Sequence, residues 1–332
     1  MTVEPLTVPS LVVPRTGGSD VLTVQDRELP APGPGQVRVS VAAAGVNFID
    51  IYQREGVYPM PLPFVVGGEG AGTVEAVGEG VDLTVGDRVA WAQGGGSAAG
   101  AVLVDAAALV PVPERVDLET AAAVMLQGIT AHYLVNSTYA VQPSDIVLAH
   151  AVAGGVGQLL VQLVKAKGAT LIGTAGSPEK VALGLELGAD HVLDYSALGD
   201  LDELPGRVKE LAGGRGVDVV YDGVGKSTFD ASLASLRPRG MMVLYGGSSG
   251  QVPPFDIQRL NRGGSLFLTR PTMGHYIATR EELLWRSSEI LGAVADGSLK
   301  VSVGGRYPLA EAKDAYDALA GRRTTGKLLL IP

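Results

Sequence analysis

The chain has no cysteine in 332 residues, which excludes disulfides, thiolate catalysis and cysteine-ligated zinc at once. Histidine is almost as scarce. His132, His150, His191 and His275 lie far apart with no ligand spacing, so no metal is expected. No apolar run reaches membrane-spanning length, and the start of the chain lacks the basic-then-apolar pattern of a signal peptide. Together with the missing cysteine, this predicts a cytoplasmic protein with no membrane partner. Positive charge is in deficit as well: 26 Lys and Arg against 35 Asp and Glu give −9, which argues against nucleic acid as the main partner. What is present fits packed globular structure, with 46% hydrophobic and 18% charged residues in a chain long enough for two domains.

The first third reads as strands and turns. Gln36–Ala42 alternates as a half-buried strand should, and Ala71–Val77 and Asp87–Trp91 follow between glycine turns, suggesting an antiparallel, barrel-like domain. From about 128 to 270 the rhythm changes to alternating strand and helix. Strands are expected at Ile146–His150, Thr170–Thr174, His191–Asp194, Val217–Asp222, Met241–Gly246 and Ser265–Thr269. Helices are expected to start near Gly155, Pro178, Asp200, Ser227 and Phe255. Six strands with intervening helices imply an α/β, doubly wound parallel sheet. Amphipathic helices at Thr279–Asp296 and Leu309–Ala320 and a last strand at Lys327–Ile331 resemble the first region, so residues 271–332 are expected to complete the domain begun by 1–127.

The most informative segment is Asp145–Lys165, where an apolar run meets Ala151-Val-Ala153-Gly154-Gly155-Val156-Gly157 and then a helical apolar pattern. Strand, tight turn and helix in that order aim backbone N–H groups and a positive helix end at a pyrophosphate. The next strand ends without an acid, reading Leu171-Ile-Gly-Thr174-Ala-Gly176-Ser177-Pro-Glu-Lys180. An Asp or Glu there would bond a ribose 2′-hydroxyl and repel a 2′-phosphate. Thr174, Gly176, Ser177 and Lys180 instead offer hydroxyl, N–H and ammonium donors, so the expected cofactor is NADPH.

Several ordered motifs resemble the zinc-independent quinone oxidoreductases (zeta-crystallin-like) of the medium-chain dehydrogenase/reductase superfamily. They are Ala44-Gly-Val-Asn47-Phe-Ile-Asp50-Ile-Tyr52, Gly67-Gly-Glu-Gly-Ala-Gly-Thr-Val-Glu75, Gln127-Gly-Ile-Thr130, the glycine loop, Tyr221-Asp-Gly-Val-Gly225 and Arg322-Arg-Thr-Thr-Gly-Lys327. The resemblance implies a GroES-like domain from both chain ends, a Rossmann domain over 128–270, a cleft between them and a homodimer paired near Ser265–Thr269. Zinc-dependent relatives carry a cysteine at the position of Asn47 and a histidine at that of Gly68.

The resemblance also implies that Asn47, Asp50 and Tyr52 line the nicotinamide end of the cleft. Tyr52 and Tyr58 can stack on a planar acceptor or donate to its carbonyl. Gln127 and Thr130 are expected near the nicotinamide, and Arg270 beside Asp50 or a polar substrate group. Further cofactor contacts are expected from Tyr195, Gly223, Gly225, Tyr245, Gly246 and Ser248, at the carboxyl ends of strands, and from Lys327. Gly94–Leu103 holds only small residues where relatives often carry an aromatic, which widens the expected cleft mouth. Three functions stay open at this point: NADPH-dependent quinone reduction by hydride transfer, reduction of activated C=C bonds in 2-alkenals or enones, and a non-catalytic crystallin-type or RNA-binding role.

Overall fold

The computed structural model describes residues 4–332 and divides into two compact units, Met1–Ile129 with Thr279–Pro332, and Thr130–Ala278. The first unit begins with β1 (Leu6–Val13), β2 (Thr23–Leu29), β3 (Gln36–Val46), α1 (Phe48–Arg54), β4 (Phe64–Val65), β5 (Gly70–Val77), β6 (Arg88–Trp91), β7 (Ala101–Asp105) and β8 (Val110–Pro111). Helix α2 (Leu118–Tyr133) leads into the second unit. There follow β9 (Ile146–Ala149), α3 (Gly155–Ala166), β10 (Thr170–Ala175), α4 (Pro178–Glu186), β11 (His191–Asp194), α5 (Leu204–Leu211), β12 (Val217–Asp222), α6 (Phe229–Ser235), β13 (Leu236–Leu244), α7 (Gln258–Arg262) and β14 (Phe267–Thr269). The chain then returns through α8 (Arg280–Asp296), β15 (Val303–Pro308), α9 (Ala312–Ala320) and β16 (Lys327–Ile331).

The second unit is one six-stranded sheet in the order β11-β10-β9-β12-β13-β14, every neighbouring pair parallel. Its strands read as apolar runs because helices cover both faces, and β12 is buried along its whole length. The order reverses at β9, the switch point where open α/β sheets bind ligands. Leu148, Ile172, Val220, Met242 and Phe229 belong to its core. β13 starts at Leu236 and stops at Leu244, so Tyr245 and Gly246, expected inside the strand, lie just beyond it. The helices expected near Asp200, Ser227 and Phe255 begin at Leu204, Phe229 and Gln258, since short turns precede each.

In the first unit a seven-stranded sheet runs β15-β16-β3-β5-β6-β8, with β7 also paired to β3. The distant chain end enters by hydrogen bonding: β16 lies between β15 and β3, with Leu328 opposite Val46 and Leu330 opposite Ala44. Leu11, Val39, Trp91, Tyr316 and Leu330 form part of one core there. Each such side chain contributes about 1.5–3 kcal/mol by leaving water. Trp91, fully buried, donates its Nε1 proton to Ser97 Oγ at 2.8 Å, and its ring fills the space a side chain at position 94 would need.

Residues 271–278 stay with the second unit. Tyr276 stacks on Tyr133 with ring centroids 4.3 Å apart and planes 8° from parallel.

Candidate functional site

The sequence-predicted residues fall into two groups, one in each unit. In the first unit β3 ends at Val46 and α1 starts at Phe48, which leaves Asn47 as the N-cap between them. Asp50, in the first turn of α1, reaches back to accept from the Asn47 N–H at 2.9 Å, as acids in that turn commonly do. Around Asn47 gathers a buried polar cluster. Its Nδ2 donates to Gly45 O at 3.1 Å and to Glu69 Oε2 at 2.9 Å, while its Oδ1 accepts from Gln127 Nε2 at 2.7 Å and Lys327 Nζ at 2.8 Å. Both donors and both lone pairs of the Asn47 amide are therefore engaged.

Lys327 lies within the core, with only 3% of its surface exposed. An ammonium has three protons, and three acceptors meet it: Glu69 Oε2 at 2.5 Å, Asn47 Oδ1 at 2.8 Å and Gln127 Oε1 at 3.0 Å. Burial pulls the Lys327 pKa down, and the facing Glu69 carboxylate opposes that pull. Glu69 is fully buried and also accepts from the Leu126 N–H at 2.6 Å, tying the helix α2 backbone to the cluster. Gly45 is required here, because a Cβ on it would collide with Glu69 Oε2.

Asp50 lies at the edge of this cluster. Its Oδ2 takes the Tyr316 hydroxyl proton at 3.0 Å, and its buried Oδ1 has no partner. Burial raises its pKa from 3.8 to about 6, against the lowering effect of the Asn47 N–H, Tyr316 and Lys327. Tyr52 and Tyr58 make an edge-to-face pair with centroids 5.5 Å apart, and Tyr58 is 39% exposed.

In the second unit Gly154 caps α3 with no side-chain bond to the first turn, so the N–H groups of Gly155, Val156 and Gly157 are left for a ligand. That donor set fits a pyrophosphate. At the end of β10, Ser177 caps α4 and accepts from the Lys180 N–H at 3.4 Å. Tyr195 covers Gly176: its hydroxyl is 2.5 Å from where a Cβ on residue 176 would stand, so a side chain there would have to displace the tyrosine. The Ser177 hydroxyl also bonds the carboxylate of Glu179 in the first turn of α4. Thr174, read from the sequence as another phosphate donor, is buried, with Oγ1 2.9 Å from His150 Nδ1. The loops after β12 and β13 pack against each other, Ser248 N–H donating to Gly223 O at 3.2 Å and the Tyr245 ring lying against Gly223. Arg270 donates to Leu244 O at 3.1 Å. Asp50 and Arg270, read from the sequence as a pair or with Arg270 on a polar substrate group, each have partners inside their own unit.

Two family models match, the alcohol dehydrogenase GroES-like domain over residues 33–114 and the zinc-binding dehydrogenase over 155–284. A quinone oxidoreductase of Pseudomonas aeruginosa is 45% identical over 319 residues, covering 95% of this chain and 97% of the relative. The chain belongs to the quinone oxidoreductase family of the medium-chain dehydrogenase/reductases. The Escherichia coli quinone oxidoreductase, solved in complex with NADPH, superposes with a TM-score of 0.95 at 41% identity, over 98% of this chain and all of that one. A 2-haloacrylate reductase from Burkholderia is 43% identical over 98% of this chain and 99% of its own. The zinc in the second model's name has no counterpart in these residues. Among the described residues no three His, Asp or Glu side chains gather to hold a metal, and the cation at Asn47 is the Lys327 ammonium.

Two members of the polar cluster around Asn47 and Asp50 escaped the sequence reading. Glu69 stands in the quoted Gly67-Gly-Glu-Gly run, and an acid among residues destined for the core was its available signal. Tyr316 gave none, because an aromatic on the apolar face of α9 reads as packing until its hydroxyl is seen on Asp50.

Proposed function

We propose that the protein reduces quinones with NADPH. The observation carrying this reading is the end of β10, whose last residues carry no acid and where Tyr195 packs over Gly176, in a chain of this family. Bound NADPH supplies a hydride to an electron-poor conjugated acceptor. The chain's own work is holding and orienting. The α3 N-terminus takes the pyrophosphate, Lys180 the 2′-phosphate, and Gly223, Gly225, Tyr245, Gly246 and Ser248 shape the nicotinamide-side loops. Tyr52 and Tyr58 receive the planar acceptor. Asn47 and Lys327, with their hydrogen bonds filled inside the first unit, fix the start of α1 and so the direction in which Tyr52 points. Asp50, with a pKa near 6 and one unpartnered oxygen, is suited to exchange a proton just below neutral pH. The protein acts as a cytoplasmic homodimer, paired through the β14 edge where Phe267 is 56% exposed.

A second reading, reduction of activated C=C bonds, is favoured by the 43% identity to the 2-haloacrylate reductase. NADPH oxidation is to be followed with 1,4-benzoquinone, 9,10-phenanthrenequinone, a 2-alkenal and a 2-haloacrylate. Turnover of the quinones is expected. Turnover confined to the alkenal or haloacrylate would replace the first reading with the second.

A further inference from the structure

Beneath the nucleotide loops of the second unit a chain of buried side chains crosses three adjacent strands at their carboxyl ends. Thr174 is the penultimate residue of β10, His150 follows β9, Asp222 ends β12, and Ser232 reaches them from α6. His150 Nδ1 is 2.9 Å from Thr174 Oγ1, and its Nε2 is 2.9 Å from Ser232 Oγ. Ser232 Oγ is in turn 2.8 Å from Asp222 Oδ2.

Counting protons fixes the direction of every bond. The Asp222 carboxylate accepts from the N–H groups of Val224 at 2.8 Å and Gly225 at 2.9 Å, and from the hydroxyls of Thr228 at 2.7 Å and Ser232. Ser232 has one proton and gives it to Asp222, so toward His150 its oxygen can only accept. Nε2 of His150 therefore carries a proton. The ring is buried, with 1% exposed, and burial holds its pKa below the usual value, which keeps it neutral. Nδ1 is then an acceptor and takes the Thr174 hydroxyl proton. A Ser–His–Asp set of this kind is no nucleophile, because the acid orients the serine instead of the imidazole and all three side chains are buried.

His150 is also the hinge-pin of the backbone. Its N–H donates to Tyr221 O at 3.1 Å on β12, and Val152 N–H donates to Thr174 O at 3.1 Å on β10. Between those two ties Ala151 opens the glycine loop in a left-handed conformation, φ 54°, that a residue with a Cβ adopts only when its surroundings hold it.

We propose that His150 is a positioning residue for the dinucleotide: a neutral imidazole, protonated on Nε2, that couples the loops after β9, β10 and β12 through the directed chain Thr174→His150→Ser232→Asp222. The Thr174 proton is spent on this chain and not on the 2′-phosphate, so Thr174 sets how well either nicotinamide cofactor binds without choosing between them. The inference rests on the NADPH reading and not on the identity of the acceptor.

Two measurements test it. Long-range ¹⁵N–¹H NMR of the uniformly labelled protein, with the His150 signals assigned from their loss in His150→Gln, should show the Nε2–H tautomer without any cofactor. An Nδ1–H or doubly protonated ring at neutral pH would overturn the chain. Dissociation constants of NADPH and NADH, measured by fluorescence, should rise together by about fivefold to tenfold in Thr174→Val and recover in Thr174→Ser. A loss confined to NADPH would return Thr174 to the phosphate and refute the proposal, and so would unchanged binding of both. Absence of NADPH binding by the unaltered protein would remove the cofactor assignment and the positioning role with it, whereas the tautomer alone reports on the chain.

Discussion

At Lys327 three protons meet three acceptors in a place almost without water, and at Glu69 the matching charge is wholly buried. Such a pair gains little over an apolar replacement of both partners, but removing one strands the other. Lys327→Met should cost about 3–5 kcal/mol in urea unfolding. Adding Glu69→Gln should return part of that loss, and strictly additive effects would contradict the coupling. Asp50 gives a pH signature of its own. Its folded pKa of about 6 lies above the ordinary 3.8, so between those values the folded chain holds a proton that the unfolded chain has released. Stability from this group is present below about pH 4, falls as pH rises through 6, and is level above. Asp50→Asn lacks that fall, and from pH 4 to 7 the difference in unfolding free energy should shift in the variant's favour by about 3 kcal/mol. A difference independent of pH would show that Asp50 is ionised throughout. At the other unit, Lys180→Ala should raise the KM for NADPH about tenfold while leaving that for NADH nearly unchanged, and equal effects on both would remove Lys180 from the phosphate.

Elements were more legible than contacts. The parallel sheet announced itself because each buried strand is an apolar run with a turn at each end, and β16 was readable to the residue for the same reason. β13 was misjudged at its start, since Arg237-Pro238-Arg239 reads as a turn, yet Leu236 before it already pairs with Val217 and the three residues fall within a register shift. The site was legible only where chemistry shows in one dimension, as in the glycine loop and the acid-free strand end. Glu69, Tyr316 and the partners of Lys327 come together from positions up to 280 residues apart, and no local pattern marks that meeting. The placement of β16 between β15 and β3 makes its own prediction. Leu330→Ala should cost about 2–5 kcal/mol and speed amide exchange in β3, with β9 and β12 keeping their protection. Equal loss in both sheets would show that the two units open together.

For the molecule as a whole, each unit does a separate part of the work. One is a parallel sheet whose first glycine turn leaves the N–H groups of Gly155, Val156 and Gly157 at the start of α3. The other is a mostly antiparallel sheet, joined by its own distant C-terminal strand, whose Lys327 holds Asn47 at the start of α1. The net charge of −9 suits a small-molecule enzyme better than a nucleic-acid binder. The central claim is that this chain takes its hydride from NADPH and gives it to a quinone. The measurement that bears on it most directly is kcat/KM for NADPH and for NADH, each with saturating 1,4-benzoquinone. The account predicts turnover with NADPH favoured by at least about tenfold, the value of one well-placed ammonium on the 2′-phosphate. Equal use of both cofactors, or no quinone turnover with either, would contradict it.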